Sequence, residues 1–174
     1  MCIRDRYWIH NGFVTIDGEK MSKSLNNIIL LNDLLKEHDG ETIRLALLSS
    51  HYRKSLDWNE NVIKQSKVLL DKVYDFLDNC DDDPEGEIDE SLIENFSNDL
   101  DIPKVLTSIN ELIKNKDSSN PQTIRQSLLF AGRILGVFKK EPSEWNKQIE
   151  ISNSEIEEIE KLIIQRKALK ENKD

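Results

Sequence analysis

From residue 57 onward the apolar residues of this chain fall three and four positions apart, the spacing of one face of an α-helix. Val62, Leu69, Val73, Phe76 and Leu77 make one stripe. Val105, Leu106, Ile109, Leu112 and Ile113 make a second, and Ile124, Leu128, Ala131, Leu135 and Phe138 a third. Start signals accompany them. Asp57-Trp58-Asn59-Glu60 reads as a capping box, with Asp57 as the carboxylate cap. Pro103, and Asn120-Pro121, place proline in a first turn, where its missing N–H costs nothing. A short helix is predicted from Ser91 to Phe96, after a loop over Asp81–Glu90 that holds Pro84 and Gly86. A linker, Lys139–Ser152, carries Pro142 and Trp145. Beyond it Ser154-x-x-Glu157 caps a last helix with Ile156, Ile159, Leu162 and Ile163. Packing alone explains such stripes, which are read as core faces rather than cofactor contacts.

The leading part differs. Tyr7 to Leu31 has strand and loop character, with β-formers in Phe13-Val14-Thr15-Ile16 and a turn at Asp17-Gly18. A polar loop, Glu19–Ser24, follows, then Leu25-Asn26-Asn27. Asn32 is expected to cap a short helix through Leu34 and Leu35 to His38, with Gly40 as its stop. Ile43, Leu47 and Leu48 predict another short helix, from Thr42 to near His51. Aromatic residues make up only 6% of the 174 residues, so the core must be built mainly from Leu, Ile and Val.

No apolar run approaches the roughly 20 residues needed to span a bilayer. Met1-Cys2-Ile3-Arg4-Asp5-Arg6 does not resemble a signal peptide, so a soluble cytoplasmic protein is expected. Cys2 and Cys80 have no Cys or His neighbour at metal-ligand spacing. They are read as reduced thiols, with a disulfide between them as the alternative. The formal net charge is −9, whereas a chain that holds nucleic acid by its whole surface is usually basic. No Lys or Arg lies between Lys72 and Lys104, and Asp81-Asp82-Asp83 and Glu85 fall in that gap. It is either a solvated acidic linker or a face that keeps RNA away.

The residues that stand out chemically are Lys20-Met21-Ser22-Lys23-Ser24. Two lysines separated by two residues, beside small hydroxyls and behind a glycine turn, can present ammonium groups to a polyphosphate. Read alone, the stretch is either that or a solvated basic loop.

The pentapeptide is the signature of class I aminoacyl-tRNA synthetases. Its approach, Tyr7-Trp8-Ile9-His10-Asn11-Gly12-Phe13 through Glu19, resembles the cysteinyl members in particular. So do Ile43-Arg44-Leu45, Ser50-His51-Tyr52-Arg53 and Leu56-Asp57-Trp58. Asn98-Asp99-Leu100-Asp101-Ile102-Pro103 echoes the family's acidic-Leu-x-x-Pro start of a bundle helix. The resemblance is dense through Trp58 and patchier beyond. It implies a cysteine–tRNA ligase that uses ATP with magnesium to form cysteinyl-adenylate and charges the cysteine tRNA, with zinc reading the thiol of cysteine. It also implies catalytic roles for Lys20 and Lys23, and nucleotide binding by Lys20, Met21, Ser22, Lys23 and Ser24. His10 and Asn11 are expected to serve the preceding strand structurally. The histidine signature and zinc ligands of the family have no counterpart here, so no residue is assigned to a metal. Met1 to Arg6 matches no part of the family pattern, and Asn26 stands where many members carry Gly.

The expected fold is mainly α, with the tail of a Rossmann-type α/β catalytic domain and a stem-contact segment over residues 1–56, and a helical, tRNA-binding bundle over 57–174. The chain is expected to be an internal piece of a monomeric parent enzyme, silent by itself. Two other readings are a ligase joining cysteine to a small amine on the same scaffold, and a non-enzymatic helical binding module.

Overall fold

The structure, a computed structural model, describes residues 7–81, 86–116 and 119–146. Among these, three short strands form one sheet: β1 (Val14–Ile16), β2 (Glu19–Lys20) and β3 (Leu56–Asp57). β1 lies in the middle, antiparallel to β2 and parallel to β3. The helices are α1 (Leu31–Glu37), α2 (Gly40–Leu48), α3 (Glu60–Asp78), α4 (Glu90–Ser97), α5 (Ile102–Lys114), α6 (Pro121–Leu135) and α7 (Pro142–Asn146). The protein is mainly helical, as its periodicity predicts.

Several boundaries depart from expectation. Glu19 and Lys20 belong to a strand rather than to a loop. α1 starts at Leu31 without a side-chain cap, and Asn32 lies inside it. Gly40 opens α2 instead of closing α1, because Asp39 accepts the Glu41 N–H at 2.9 Å and caps the second helix. The cap of α3 is Asn59, whose Oδ1 accepts the Val62 N–H at 3.1 Å. Asp57 sits in β3 with its carboxylate engaged elsewhere. The linker around Trp145 contains a helix, α7, and Trp145 is only 1% exposed. The expected helix over Ser154–Ile163, like Cys2 and Asp82–Glu85, lies outside the described residues.

α6 shows how local chemistry sets its ends. Asn120 accepts the Gln122 N–H at 2.9 Å and Pro121 fills the first turn. The helix ends at Gly136, with φ 73°, where a side chain would also lie 2.8 Å from the Arg44 guanidinium. That guanidinium donates to the Leu135 carbonyl at 2.6 Å, placing positive charge at the negative end of the helix.

The apolar residues divide into two cores. The larger joins Leu70, Val73, Tyr74, Leu92, Val105, Ile109, Ile124, Leu128, Ala131 and Trp145. The smaller joins Ile43, Ala46, Leu56, Trp58 and Ile63, flanked by Val14 and Ile16. α2 serves both, presenting Leu45 to one and Ile43 and Ala46 to the other, so its inward face differs from the expected stripe and Leu47 is 48% exposed. In α3 the buried positions include Ile63, Leu70 and Tyr74, while Val62, Leu69 and Leu77 are half-buried.

Polar contacts lock this junction. Glu41 accepts the Tyr74 hydroxyl at 2.8 Å and the backbone N–H groups of Phe138 and Lys139 at 2.9 and 3.0 Å. Burial, foremost, pushes the Tyr74 phenol well above its usual range. The Trp145 ring stacks on Tyr74 at 4.6 Å between centroids and donates its indole N–H to Asp71 at 2.7 Å.

Candidate nucleotide site

The lysine pentapeptide begins on the β1–β2 hairpin. Asp17 (φ 53°) and Gly18 (φ 78°) form a two-residue turn with both φ positive, the geometry that matches the twist of paired strands. The register pairs Ile16 with Glu19 and Thr15 with Lys20, and the Met21 N–H extends the ladder to the Val14 carbonyl at 3.1 Å. Lys20 is therefore fixed at the backbone. Its Nζ lies 3.8 Å from the centre of the Phe13 ring, a cation–π contact.

Two features outside the pentapeptide hold this hairpin. The Asp57 carboxylate accepts the Gly18 N–H and the Thr15 hydroxyl, both at 2.9 Å. Those bonds, the Gly18 N–H first, hold its carboxyl below the usual range. Gly12 donates to the Tyr52 carbonyl at 2.7 Å, and a side chain there would meet the Lys54 carbonyl oxygen at 2.1 Å. Only glycine permits that approach. His10 and Asn11 are exposed and lie before β1, in no strand.

The second lysine occupies a turn. Asn26 donates its N–H to the Lys23 carbonyl at 3.2 Å and adopts φ 51°, a left-handed conformation that asparagine tolerates. The Ser22 and Ser24 hydroxyls are 3.2 Å apart. Asn27 accepts the Ser22 N–H at 2.8 Å and donates to the Lys20 carbonyl at 3.4 Å. Met21 and Ser22 are half-buried, whereas Lys20, Lys23 and Ser24 are exposed. The two ammonium groups thus leave one short segment from a strand and from the following turn, with the Ser22 hydroxyl between them in sequence and that of Ser24 just beyond. This donor set suits the oxygens of a polyphosphate. Sequence reasoning did not single out Asp57, Gly12 or Asn27 for these tasks. Asp57-Trp58 carried a capping signal, and the positions its carboxylate serves are about forty residues away.

A second polar cluster joins the α2–β3 segment to the α4–α5 loop. Asp99 accepts the Tyr52 hydroxyl at 2.7 Å and the Arg53 Nε–H at 2.7 Å. With Arg53 as the leading cause, its carboxyl is held down at about 2. Asp99 and Leu100 both have positive φ, 52° and 53°, and this bend turns the carboxylate toward the segment that supports Gly12. Among the described residues no three His, Cys, Asp or Glu side chains converge as metal ligands, so these residues do not fit the zinc site that the resemblance implies. Among the same residues no helix is long and apolar enough to cross a membrane.

Comparison with known proteins extends these observations. The family described as tRNA synthetases class I (C) catalytic domain matches residues 2–68. The match includes residues 2–6, which were expected to fall outside the family pattern. The cysteine–tRNA ligase of Wolbachia pipientis subsp. Culex pipiens is 41% identical over 97% of this chain and 37% of its own length. That of Saccharophagus degradans is 42% identical over 95% of this chain and 38% of its own length. A third, from Campylobacter jejuni subsp. doylei, is 39% identical over 96% of this chain and 40% of its own length. The chain thus spans about two fifths of these curated relatives.

Proposed function

This chain belongs to the cysteine–tRNA ligase family of class I tRNA synthetases, and from that membership we propose that it supplies the pyrophosphate end of an ATP site that activates cysteine. The whole protein joins cysteine to ATP as cysteinyl-adenylate, then transfers the cysteinyl group to the cysteine tRNA. It works as a monomer in the cytoplasm. Residues 1–56 act as the end of a Rossmann-type catalytic domain with the stem-contact segment, and residues 57–174 as the helical arm that meets tRNA. Magnesium arrives with ATP as part of the substrate.

The observation that carries this reading is the placement of Lys20 and Lys23 on one pinned segment, with the Lys23 ammonium exposed at a turn. When the cysteine carboxylate attacks the α-phosphate, the bond to the β-phosphate breaks and negative charge grows on the departing pyrophosphate. Donors that meet this charge mainly in the transition state speed the step rather than merely tighten binding. Lys23 and Lys20 take that role. Ser22 and Ser24 hydrogen-bond phosphate oxygens or hold the shape of the turn, and Met21, half-buried, anchors the segment beneath them.

The test is a chimera in which residues 7–146 replace the matching segment of a full-length curated relative. Cysteine-dependent exchange of pyrophosphate into ATP is expected to persist, and to fall when Lys20 and Lys23 are changed to Ala. A folded chimera that binds cysteine but shows the same exchange with and without the lysines would overturn the reading.

A further inference from the structure

The backbone between the two lysines is held by a side chain to which nothing above gives a role in the chemistry. In a strand, the carbonyl of one residue and the N–H of the residue two places on point to the same side. After β2 those groups are the Lys20 carbonyl and the Ser22 N–H, and among the described residues no further strand pairs with them. The Asn27 carboxamide pairs with both. Its oxygen accepts the Ser22 N–H at 2.8 Å, and its NH₂ donates to the Lys20 carbonyl at 3.4 Å. A carboxamide carries an acceptor and a donor in one plane, as a peptide group does, so Asn27 acts as a one-residue strand partner. It brackets Met21 and prolongs the extended backbone from Lys20 to the start of the turn. The left-handed Asn26 immediately before it turns the chain back so that this reach is possible.

Resting on the proposed phosphate role of the loop, we infer that Asn27 is a positioning residue that fixes the spacing of Lys20 and Lys23 so that both ammonium groups reach one pyrophosphate. Serine at this position is too short to bridge both groups. Aspartate offers the acceptor alone. Asn27 acts through the backbone that carries the lysines and touches no reacting atom.

The experiment uses the 174-residue chain, ¹⁵N-labelled, with inorganic pyrophosphate as probe. Asn27→Ala is expected to speed exchange of the Ser22 amide about tenfold or more, as for the loss of a hydrogen bond. It is also expected to weaken the pyrophosphate-induced shifts at Lys20 and Lys23 several-fold, with the amides of α3 and α6 unchanged. Asn27→Asp keeps the acceptor and is expected to keep Ser22 protected. A second comparison separates positioning from a general structural role. On a Lys23→Ala background, Asn27→Ala should weaken pyrophosphate no further, because spacing matters only when both lysines are present. Full additivity of the two substitutions would overturn the inference, as would unchanged Ser22 exchange in Asn27→Ala. A wild-type chain whose Ser22 amide is protected but which shows no response to pyrophosphate would overturn the phosphate role of the loop, and the positioning role with it. A wild-type response that Asn27→Ala leaves intact would overturn the role of Asn27 alone.

Discussion

The helices from α3 to α7 and the segment from Tyr7 to Leu35 are held by different forces. In the first, Leu70, Val73, Tyr74, Ile109, Ile124, Leu128 and Ala131 are fully buried against one another. Each large apolar side chain removed from water in this way contributes about 1.5–3 kcal/mol before the cost of ordering the chain. In the second, Tyr7, Trp8, Ile9, Phe13, Leu25, Leu30, Leu31 and Leu35 are exposed, Tyr7 to 88%. Beside the half-buried Val14, Ile16, Ile29 and Leu34 on the smaller core, polar contacts hold that segment: the Asp57 carboxylate on the hairpin turn, the Asn27 amide on the lysine backbone, and the Gly12–Tyr52 hydrogen bond. The chemistry proposed for Lys20 and Lys23 falls in the region with less packing. A loop that must close on a nucleotide comes from the low-stability end of a structure, because a segment locked by core contacts would resist the motion.

Trp145→Ala should have the largest effect on stability. It removes a ring stacked on Tyr74 and strips Asp71 of its indole donor. The expected loss is about 3–5 kcal/mol, read from the midpoint of urea unfolding at unchanged slope. Leu31→Ala, at a position 56% exposed, should change it by less than about 0.5 kcal/mol. Equal losses would abolish the distinction between the regions. Native-state hydrogen exchange offers a second reading of it, with amides in α3 and α6 expected to exchange more slowly than those of Val14–Ile16. Slower exchange in β1 would reverse the ranking.

Lys23→Ala should show the opposite profile, with no measurable change in unfolding and a large loss of function. In the chimera described above, single-turnover adenylate formation at saturating ATP and cysteine should fall about a hundredfold, as for loss of one well-placed electrostatic donor. Cysteine affinity should stay nearly constant, because the interaction belongs to the transition state. Lys23→Arg should recover only part of the rate, since a planar fork does not replace a compact ammonium in a tight turn. An unchanged rate with only a raised KM for ATP would make Lys23 a simple ground-state contact.

How legible each region was in the sequence follows the same division. Helical periodicity records burial, so the stripes around Val73, Ile109 and Leu128 announced α3, α5 and α6 directly. They misjudged α2 because a helix between two cores buries more than one face, and Leu45 and Ala46 took the inward places alongside Ile43. Trp145 was hidden for a related reason: α7 has five residues, too few to show a period, and its burial depends on Tyr74 in a distant helix. The lysines were legible as a motif. Their supports were not, because Asp57 and Gly12 act on partners about forty residues away, and such pairing leaves no local pattern. Asn27 is near enough to read, but an asparagine after another asparagine first signals a turn, and its bridging role needs the strand geometry to be seen.

Acid gives the smallest and most local way to separate the two regions. Asp57 and Asp99 are both held below the usual carboxylate range, Asp99 to about 2, and both lie on the supports of the leading segment. A carboxyl whose folded value is depressed binds its proton more readily in the unfolded chain. Its contribution is therefore complete above the unfolded value of about 3.9 and is lost as pH falls through the folded value. For Asp99 that window runs from about pH 4 down to about pH 2. Protonated Asp57 is a weaker acceptor for the Gly18 N–H, and protonated Asp99 no longer attracts Arg53. As pH falls below about 4, the Gly18 amide resonance should move with the titration of Asp57, at a midpoint below that of an ordinary aspartate. The resonances of α6, whose N-cap is the non-titrating Asn120, should move less over the same range. Asp57→Asn should flatten the Gly18 titration while leaving α6 as it was. A Gly18 midpoint at the ordinary aspartate value would show that the turn and β3 are not coupled through this carboxylate, and the polar pin on the hairpin would then be the wrong account of how the lysine segment is held.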